Sequence, residues 1–447
     1  MSQPVPYDPA SRESILAYAE KLVGHSLREI LDELPPEIDF TGNKGGYGAA
    51  LERHYFCYEP NNRPEPDFAE AGVELKATPL KRSGKKKLVA KERLVLGMID
   101  YMAVVSEEWE KSSFLSKNSH LLLVFYLHEA DKDPRDFCIK IVRLWDFPEE
   151  DLEIISQDWG KIVGKVKAGR AHELSEGDTL YLAACTKAAT SAARRKQPFS
   201  GVSAKPRALS LKASYMNSVI EDSLKLQSAV RPEEYRSGKT FEQIVHDRFR
   251  PYIGMTADEI AARLNVGIKR GAKNFYAVLT QRIFGIDPSH SAEFIKADVI
   301  VRTVRLRPSG ALKEAVSFSA FDYEDLVQQD WEGSDLRNDL TRRFFFVVYE
   351  MDKQEIPTLA HTQFWTMPTS DVDLHGRECF ERTVELIMEG KADYLPKSSD
   401  NKVCHVRPHG RNSADTLPTP TGGRAVRKSF WLNQKYLAKQ LTDGADS

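Results

Sequence analysis

Apolar residues near the start of the chain recur at helical spacing. Ile15, Leu16, Ala19, Leu22, Val23, Leu27, Ile30 and Leu31 fall on one face, behind Asp8 as a cap and Pro9 at the first helical position. This predicts an amphipathic helix packed on a larger body. A second helix is expected over about residues 47–55. Short, almost wholly apolar runs at 73–75 and 121–127 read as buried strands. The first half therefore mixes helices with a sheet.

The pattern then repeats. Asp67-Phe68 stands five residues before Gly72-Val73-Glu74-Leu75-Lys76, and Glu293-Phe294 stands five before Asp298-Val299-Ile300-Val301-Arg302. Asp100-Tyr101 precedes Trp109-Glu110 by the interval that separates Asp322-Tyr323 from Trp331-Glu332, and an apolar strand follows each, at 121–127 and 344–349. Gly169-Arg170-Ala171 with Leu174 is echoed by Gly390-Lys391-Ala392 with Leu395. Three echoes in one order indicate two copies of a single α/β domain, residues 1–225 and 226–447. A polar stretch near 224–238 separates them. Thr256-Ala257-Asp258-Glu259 has the capping-box form at a helix start in copy two.

Composition agrees with two ordinary globular domains: 447 residues, 41% hydrophobic and 29% charged. Five cysteines without C-x-x-C spacing disfavour both a zinc ribbon and a disulfide framework. The start of the chain has neither a basic nor an apolar leader segment, and no apolar run approaches membrane-spanning length. A reduced, cytoplasmic protein with no membrane partner is expected.

The net charge of −2 conceals strong clustering. Residues 179–220 hold no Asp or Glu but seven cations: Lys187, Arg194, Arg195, Lys196, Lys205, Arg207 and Lys212. Lys81, Arg82, Lys85, Lys86, Lys87, Lys91 and Arg93 crowd residues 81–93. In copy two, Arg407, Arg411, Arg424, Arg427 and Lys428 share residues 402–439 with one acid, Asp415. Such composition suits contacts to a phosphate backbone, so double-stranded DNA is the expected partner.

The chemistry is expected at Val73-Glu74-Leu75-Lys76. Strand alternation puts Glu74 and Lys76 on one face and Val73 and Leu75 in the core. The Pro-rich approach through Pro64 and Pro66 lets Asp67 return beside Glu74. Two adjacent carboxylates stay ionised together only with positive charge between them, and oxygen ligands suit Mg²⁺. With Lys76 to neutralise developing charge, this is a phosphodiester-hydrolysis set, to which Glu52 can add a third carboxylate. Copy two has Glu293, Ile300 and Arg302 at these positions, and Thr280 or Gln281 near that of Glu52. Ile cannot bind a metal, so copy two should bind rather than cut.

Lys44-Gly45-Gly46-Tyr47-Gly48 leading to Leu51-Glu52, then Pro64-Glu65-Pro66-Asp67-Phe68, then Gly72-Val73-Glu74-Leu75-Lys76, resemble the MutH-like endonucleases, which are GATC-directed. The duplication is similar to the two-domain type II restriction enzymes of that group, whose first copy cuts and whose second binds DNA. The resemblance implies two restriction-endonuclease-like domains, each a mixed sheet flanked by helices. It implies metal-site roles for Glu52, Asp67, Glu74 and the Leu75 carbonyl, and catalytic roles for Lys76 and Lys117. One residue is inserted between Glu52 and Asp67 relative to the family. Lys44 is expected on DNA. The family's Arg-Pro before its recognition loop appears as Arg407-Pro408, and its base-proximal aromatic as Trp431, whereas copy one has Leu209-Ser210-Leu211 there. With one active site per chain, a double-strand break needs two chains meeting on DNA or two nicks. The rival readings are a mismatch-repair nicking enzyme, which is single-domain, and a non-catalytic DNA-binding regulator.

Overall fold

The computed structural model describes residues 5–31, 46–59, 65–83, 87–129, 132–187, 190, 192–221, 234, 238–268, 271–272, 274–285, 288 and 291–443. The chain folds as two compact units, each packed mainly on itself. One comprises Met1–Leu174 and Thr179–Lys225, the other Ser175–Asp178 and Leu226–Ser447. Most of the polar stretch at 224–238 lies outside the described residues. No helix among them is long and apolar enough to cross a membrane.

In the first unit, α1 (Arg12–Glu20) begins at Ser11, whose side chain accepts from the Ser14 N–H, rather than at Asp8. The helical spacing that runs on to Leu31 is not one helix. Gly24 takes φ +91° and donates to the Ile139 carbonyl, and α2 (Leu27–Ile30) restarts behind a Ser26/Glu29 capping box. The apolar spacing survives the break because Leu22 and Leu27 reach the same core. The second expected helix is α3 (Gly46–Ala50), which runs into a π-helical turn at Leu51–Tyr55.

One sheet carries the order β2-β1-β4-β5, from β1 (Val73–Arg82), β2 (Leu88–Ala90), β4 (His120–Leu127) and β5 (Ile139–Asp146). β1 and β4 are parallel, with Val73 opposite His120, and β5 is antiparallel to β4. A smaller antiparallel sheet, β3-β7-β6, joins β3 (Leu94–Met98), β6 (Leu182–Thr186) and β7 (Arg207–Leu211). The start of β6 is held by Asp158 of α5 (Glu149–Lys167), which accepts from the N–H groups of Leu180, Tyr181 and Leu182.

The second unit repeats this plan. β8 (Val299–Leu306) is parallel to β10 (Arg343–Met351), which pairs antiparallel with β11 (Pro357–Trp365). β9 (Ser317–Ala320), β15 (Lys428–Leu432) and β12 (Cys404–Pro408) reproduce the small sheet in the order β12-β15-β9. A hairpin of β13 (Thr416–Pro418) and β14 (Arg424–Val426) is added between β12 and β15. The correspondence extends to backbone angles: Gly72 before β1 has φ +68°, and Asp298 before β8 has φ +54°. Asp is among the few side chains that tolerate this region, and the Arg342 guanidinium holds it at 2.5 Å. The Thr256/Glu259 capping box forms at the helix Ala257–Arg263.

Candidate active site and nucleic-acid interface

Asp67 and Glu74 meet because the chain reverses tightly between them. Phe68 and Val73 exchange backbone hydrogen bonds of 2.9 and 3.2 Å around the left-handed Gly72. The Asp67 N–H then donates to Glu74 Oε2 at 3.1 Å, and the Leu75 N–H donates to Asp67 Oδ2 at 3.0 Å. In an extended strand a residue's N–H and C=O lie toward the same edge, so the Leu75 carbonyl faces this edge too.

The strand face that carries Glu74 is covered at that residue. Glu74 is only 2% exposed, as buried as Val73 and Leu75 on the opposite face. Burial of a carboxylate at this level requires compensation, and two ammonium groups supply it. Lys76 Nζ lies 2.6 Å from Glu74 Oε1, and Lys117 Nζ lies 3.6 Å from the same oxygen. Lys117 sits near the end of α4 (Ser113–Asn118), directly before β4, so the parallel β1–β4 register delivers it to Glu74.

Glu52 projects from the π-helical turn, a feature that often marks functional sites. Burial raises the Glu52 pKa, with Lys76 and Lys117 pulling it down and Glu74 pushing it up. Asp67 is raised to about 7, first by burial and then by the Glu74 and Glu52 charges, with Lys76 and the Leu75 N–H opposing. The pocket thus holds three carboxylates against two amines, and its excess negative charge suits a divalent cation. Among the described residues, however, no three His, Cys, Asp or Glu side chains form a ready cage. Asp67, Glu74 and the Leu75 backbone share one edge of the strand, and Glu52 is coupled to both acids through charge.

Tyr58 was not anticipated. Its main-chain N–H donates to the Glu52 carbonyl at 3.0 Å, and its ring packs on Phe68. Among the described residues its buried hydroxyl has no hydrogen-bond partner, and its pKa is raised by burial and by Asp67, Glu52 and Glu74. A protonated donor among three carboxylates is a place for a water or phosphate oxygen. No local pattern marks it, because it reaches the acids through tertiary packing, as its contact with Phe68 shows.

The family model for the DNA mismatch repair enzyme MutH matches residues 56–158, which contain β1, Asp67, Glu74, Lys76 and Lys117. The type II restriction enzyme Sau3AI of Staphylococcus aureus is 33% identical over 491 aligned residues, covering 97% of this chain and 99% of its own. The chain belongs to the MutH-like family of type II restriction endonucleases. DNA mismatch repair proteins MutH of Shewanella amazonensis and Vibrio cholerae are 31% and 27% identical. They cover 43% and 39% of this chain but 84% and 78% of their own, so that likeness is the length of one unit.

In the second unit of this MutH-like endonuclease the carboxylate pocket is dismantled. Ile300 takes the Glu74 register on β8, and Arg302 takes that of Lys76. Glu293 is 4% exposed and accepts from the Ser291 hydroxyl at 2.7 Å. Of the two counterparts considered for Glu52, Thr280 is the one against this strand: its hydroxyl lies 3.4 Å from that of Thr303. This donor set does not suit a metal ion.

The basic segments divide once seen in three dimensions. Lys87, Lys187, Arg194 and Arg195 are exposed, and Lys205 is half-buried. Arg207 is not a surface contact: it is 4% exposed on β7 and donates to the Ala184 carbonyl at 2.7 Å. Lys212 is half-buried and donates to the Thr179 carbonyl at 2.7 Å. Arg207 ties the small sheet together and leaves the predicted DNA set, while Lys212 braces the segment before β6. Lys44, Lys85 and Lys86 lie outside the described residues. In the second unit Arg407 and Arg411 are exposed, and the Arg407 guanidinium stacks 4.7 Å from the Trp431 ring. Arg427 is half-buried and bonds Asp415 at 3.2 Å. Two histidines on these strands have side-chain partners: His405 with Asn433, and His120 with Asp146.

Proposed function

We propose that the first unit hydrolyses one strand of double-stranded DNA per encounter using Mg²⁺ held by Asp67, Glu74 and the Leu75 carbonyl. The observation that carries this reading is the buried Asp67–Glu74 pair with two lysines on one carboxylate oxygen. When bound, the ion polarises a phosphate oxygen and lowers the pKa of a coordinated water. Lys76 stands where it neutralises charge developing on the phosphorus centre, and Lys117 lies beside the same Glu74 oxygen. Water attacks phosphorus, the 3′-oxygen leaves and takes a proton, and the ends are a 5′-phosphate and a 3′-hydroxyl. The motif resemblance supports GATC as the site.

The second unit binds DNA without cutting, through Arg407, Arg411 and Trp431, because it keeps the cationic loops and has Ile300 and Thr280 in place of the Glu74 and Glu52 carboxylates. One active site per chain makes a double-strand break the work of two chains on DNA or of two successive nicks. The test is incubation of plasmid DNA with the purified chain in Mg²⁺ and in EDTA, followed by mapping of the ends. Linear product with ends at GATC in Mg²⁺ alone is expected; nicked circles as the final product would sink the type II reading for this chain.

Two further outcomes are expected. Tyr58→Phe lowers the single-turnover cleavage rate about 10-fold without changing affinity for DNA, since it removes one donor and no charge. Arg407→Ala weakens binding of DNA to the second unit about 10-fold, and Trp431→Ala does the same, measured by anisotropy at fixed salt on a cleavage-deficient chain. Unchanged affinity in both would remove the second unit's reading head from the proposal.

A further inference from the structure

The segment between β6 and β7 holds an aromatic ring outward on a strained but firmly pinned tip. Phe199 is 76% exposed and has φ +58°, where bulky side chains are uncommon. Gln197, buried beneath it, accepts from the Ala171 N–H and donates to the Val202 carbonyl, each at 2.6 Å. Arg195 and Ala204 exchange backbone hydrogen bonds of 2.7 and 2.9 Å across the loop. Gly169, itself at φ +70°, backs so closely onto the tip that an added Cβ would lie 2.6 Å from the Phe199 carbonyl oxygen. The Tyr101 hydroxyl anchors the loop base by donating to the Lys205 carbonyl at 2.6 Å.

Phe199 holds a phenyl ring in water on left-handed backbone, and strain of this kind clusters at ligand-binding segments. The surroundings name the occupant. Arg194, Arg195 and Lys196 are exposed a few residues before the ring, and no acid occurs between 179 and 220. The partner must be both polyanionic and able to offer a flat apolar surface, which a DNA base step does. The second unit carries its aromatic on the strand, as Trp431 of β15 under Arg407, whereas the matching β7 residues Leu209 and Leu211 are aliphatic and buried.

We propose that Phe199 enters the base stack of the bound duplex as a wedge and opens one base step, while Arg194, Arg195 and Lys196 hold the flanking phosphates. This rests on the nuclease reading above. The test uses full-length chain with Glu74→Ala and duplexes containing GATC, with 2-aminopurine at successive positions across the site. Fluorescence should rise several-fold at one or two adjacent positions, should be lost with Phe199→Ala and Gly169→Ala, and should persist with Phe199→Trp. In the otherwise unaltered enzyme, Phe199→Ala should lower kcat/KM about 10- to 100-fold at an unchanged melting temperature. Wild-type cleavage by Phe199→Ala, with no position-dependent fluorescence, overturns the wedge and leaves the nuclease reading intact. Failure of the unaltered chain to cut or bind duplex DNA overturns the nuclease reading, and the wedge with it.

Discussion

Glu74→Ala lowers the rate of DNA cleavage at least about 10³-fold while the chain still binds duplex DNA. The carboxylate is 2% exposed and serves three neighbours at once: the Asp67 N–H, Lys76 and Lys117. Removing it takes away one of the two acidic ligands proposed for the ion and leaves two ammonium groups facing each other without an intervening charge. The second consequence destabilises the fold, since a buried pair broken on one side is costly. Glu74→Gln separates the two effects: it keeps the shape and a hydrogen-bond acceptor for Lys76, so a more stable chain that is equally inactive is expected. The measurement is the single-turnover rate on a GATC duplex in Mg²⁺, with affinity read by anisotropy. A Glu74→Gln chain that cuts within 10-fold of the unaltered enzyme would rule out this carboxylate as a ligand.

Asp67→Asn is expected to abolish cleavage to a similar degree and yet stabilise the ion-free protein. The Asp67 pKa is raised to about 7 by burial and by the Glu74 and Glu52 charges, against about 4 in an unfolded chain. Between those values the folded state holds more protons than the unfolded state, so this group costs stability progressively as pH rises from about 4 to about 7. Above pH 7 the cost is complete; below pH 4 it is absent. Asn removes it while still accepting from the Leu75 N–H. In EDTA the variant should melt at least about 2 °C higher at pH 8 and at the same temperature at pH 4. With Mg²⁺ at pH 8 the unaltered enzyme should recover the difference, because cation binding requires the ionised form. Its cleavage rate at limiting Mg²⁺ should therefore fall as pH drops below about 7. A variant that melts lower than the unaltered chain at pH 8 in EDTA would contradict the crowding of charge described for this pocket.

Much of this was legible in the sequence, for identifiable reasons. Residues 67–76 carry their own geometry: proline-stiffened approach, a glycine able to adopt positive φ, then period-two alternation, so the meeting of Asp67 and Glu74 follows from local conformational preference. The internal repeat is equally local, since equal intervals between similar residues need no coordinates, and the strand order β1-β4-β5 recurs as β8-β10-β11. The capping box at Thr256 is a four-residue property and appears where the spacing places it.

What the sequence determined by itself was therefore the α/β character, the duplication and the Asp67, Glu74 and Lys76 set, all of which depend on short-range spacing, whereas Lys117 was suggested only by the family resemblance. Only the tertiary structure decided which charges are buried and what surrounds them. Glu74 is as inaccessible as the core residues beside it, Tyr58 brings a buried hydroxyl within electrostatic reach of the acids, and Arg207, in the middle of a basic run, is a buried brace for the Ala184 carbonyl. The physical reason is that spacing sets backbone period and turn geometry, whereas the cost of a charge is set by neighbours that arrive from distant parts of the chain, as Lys117 does across the β1–β4 pairing.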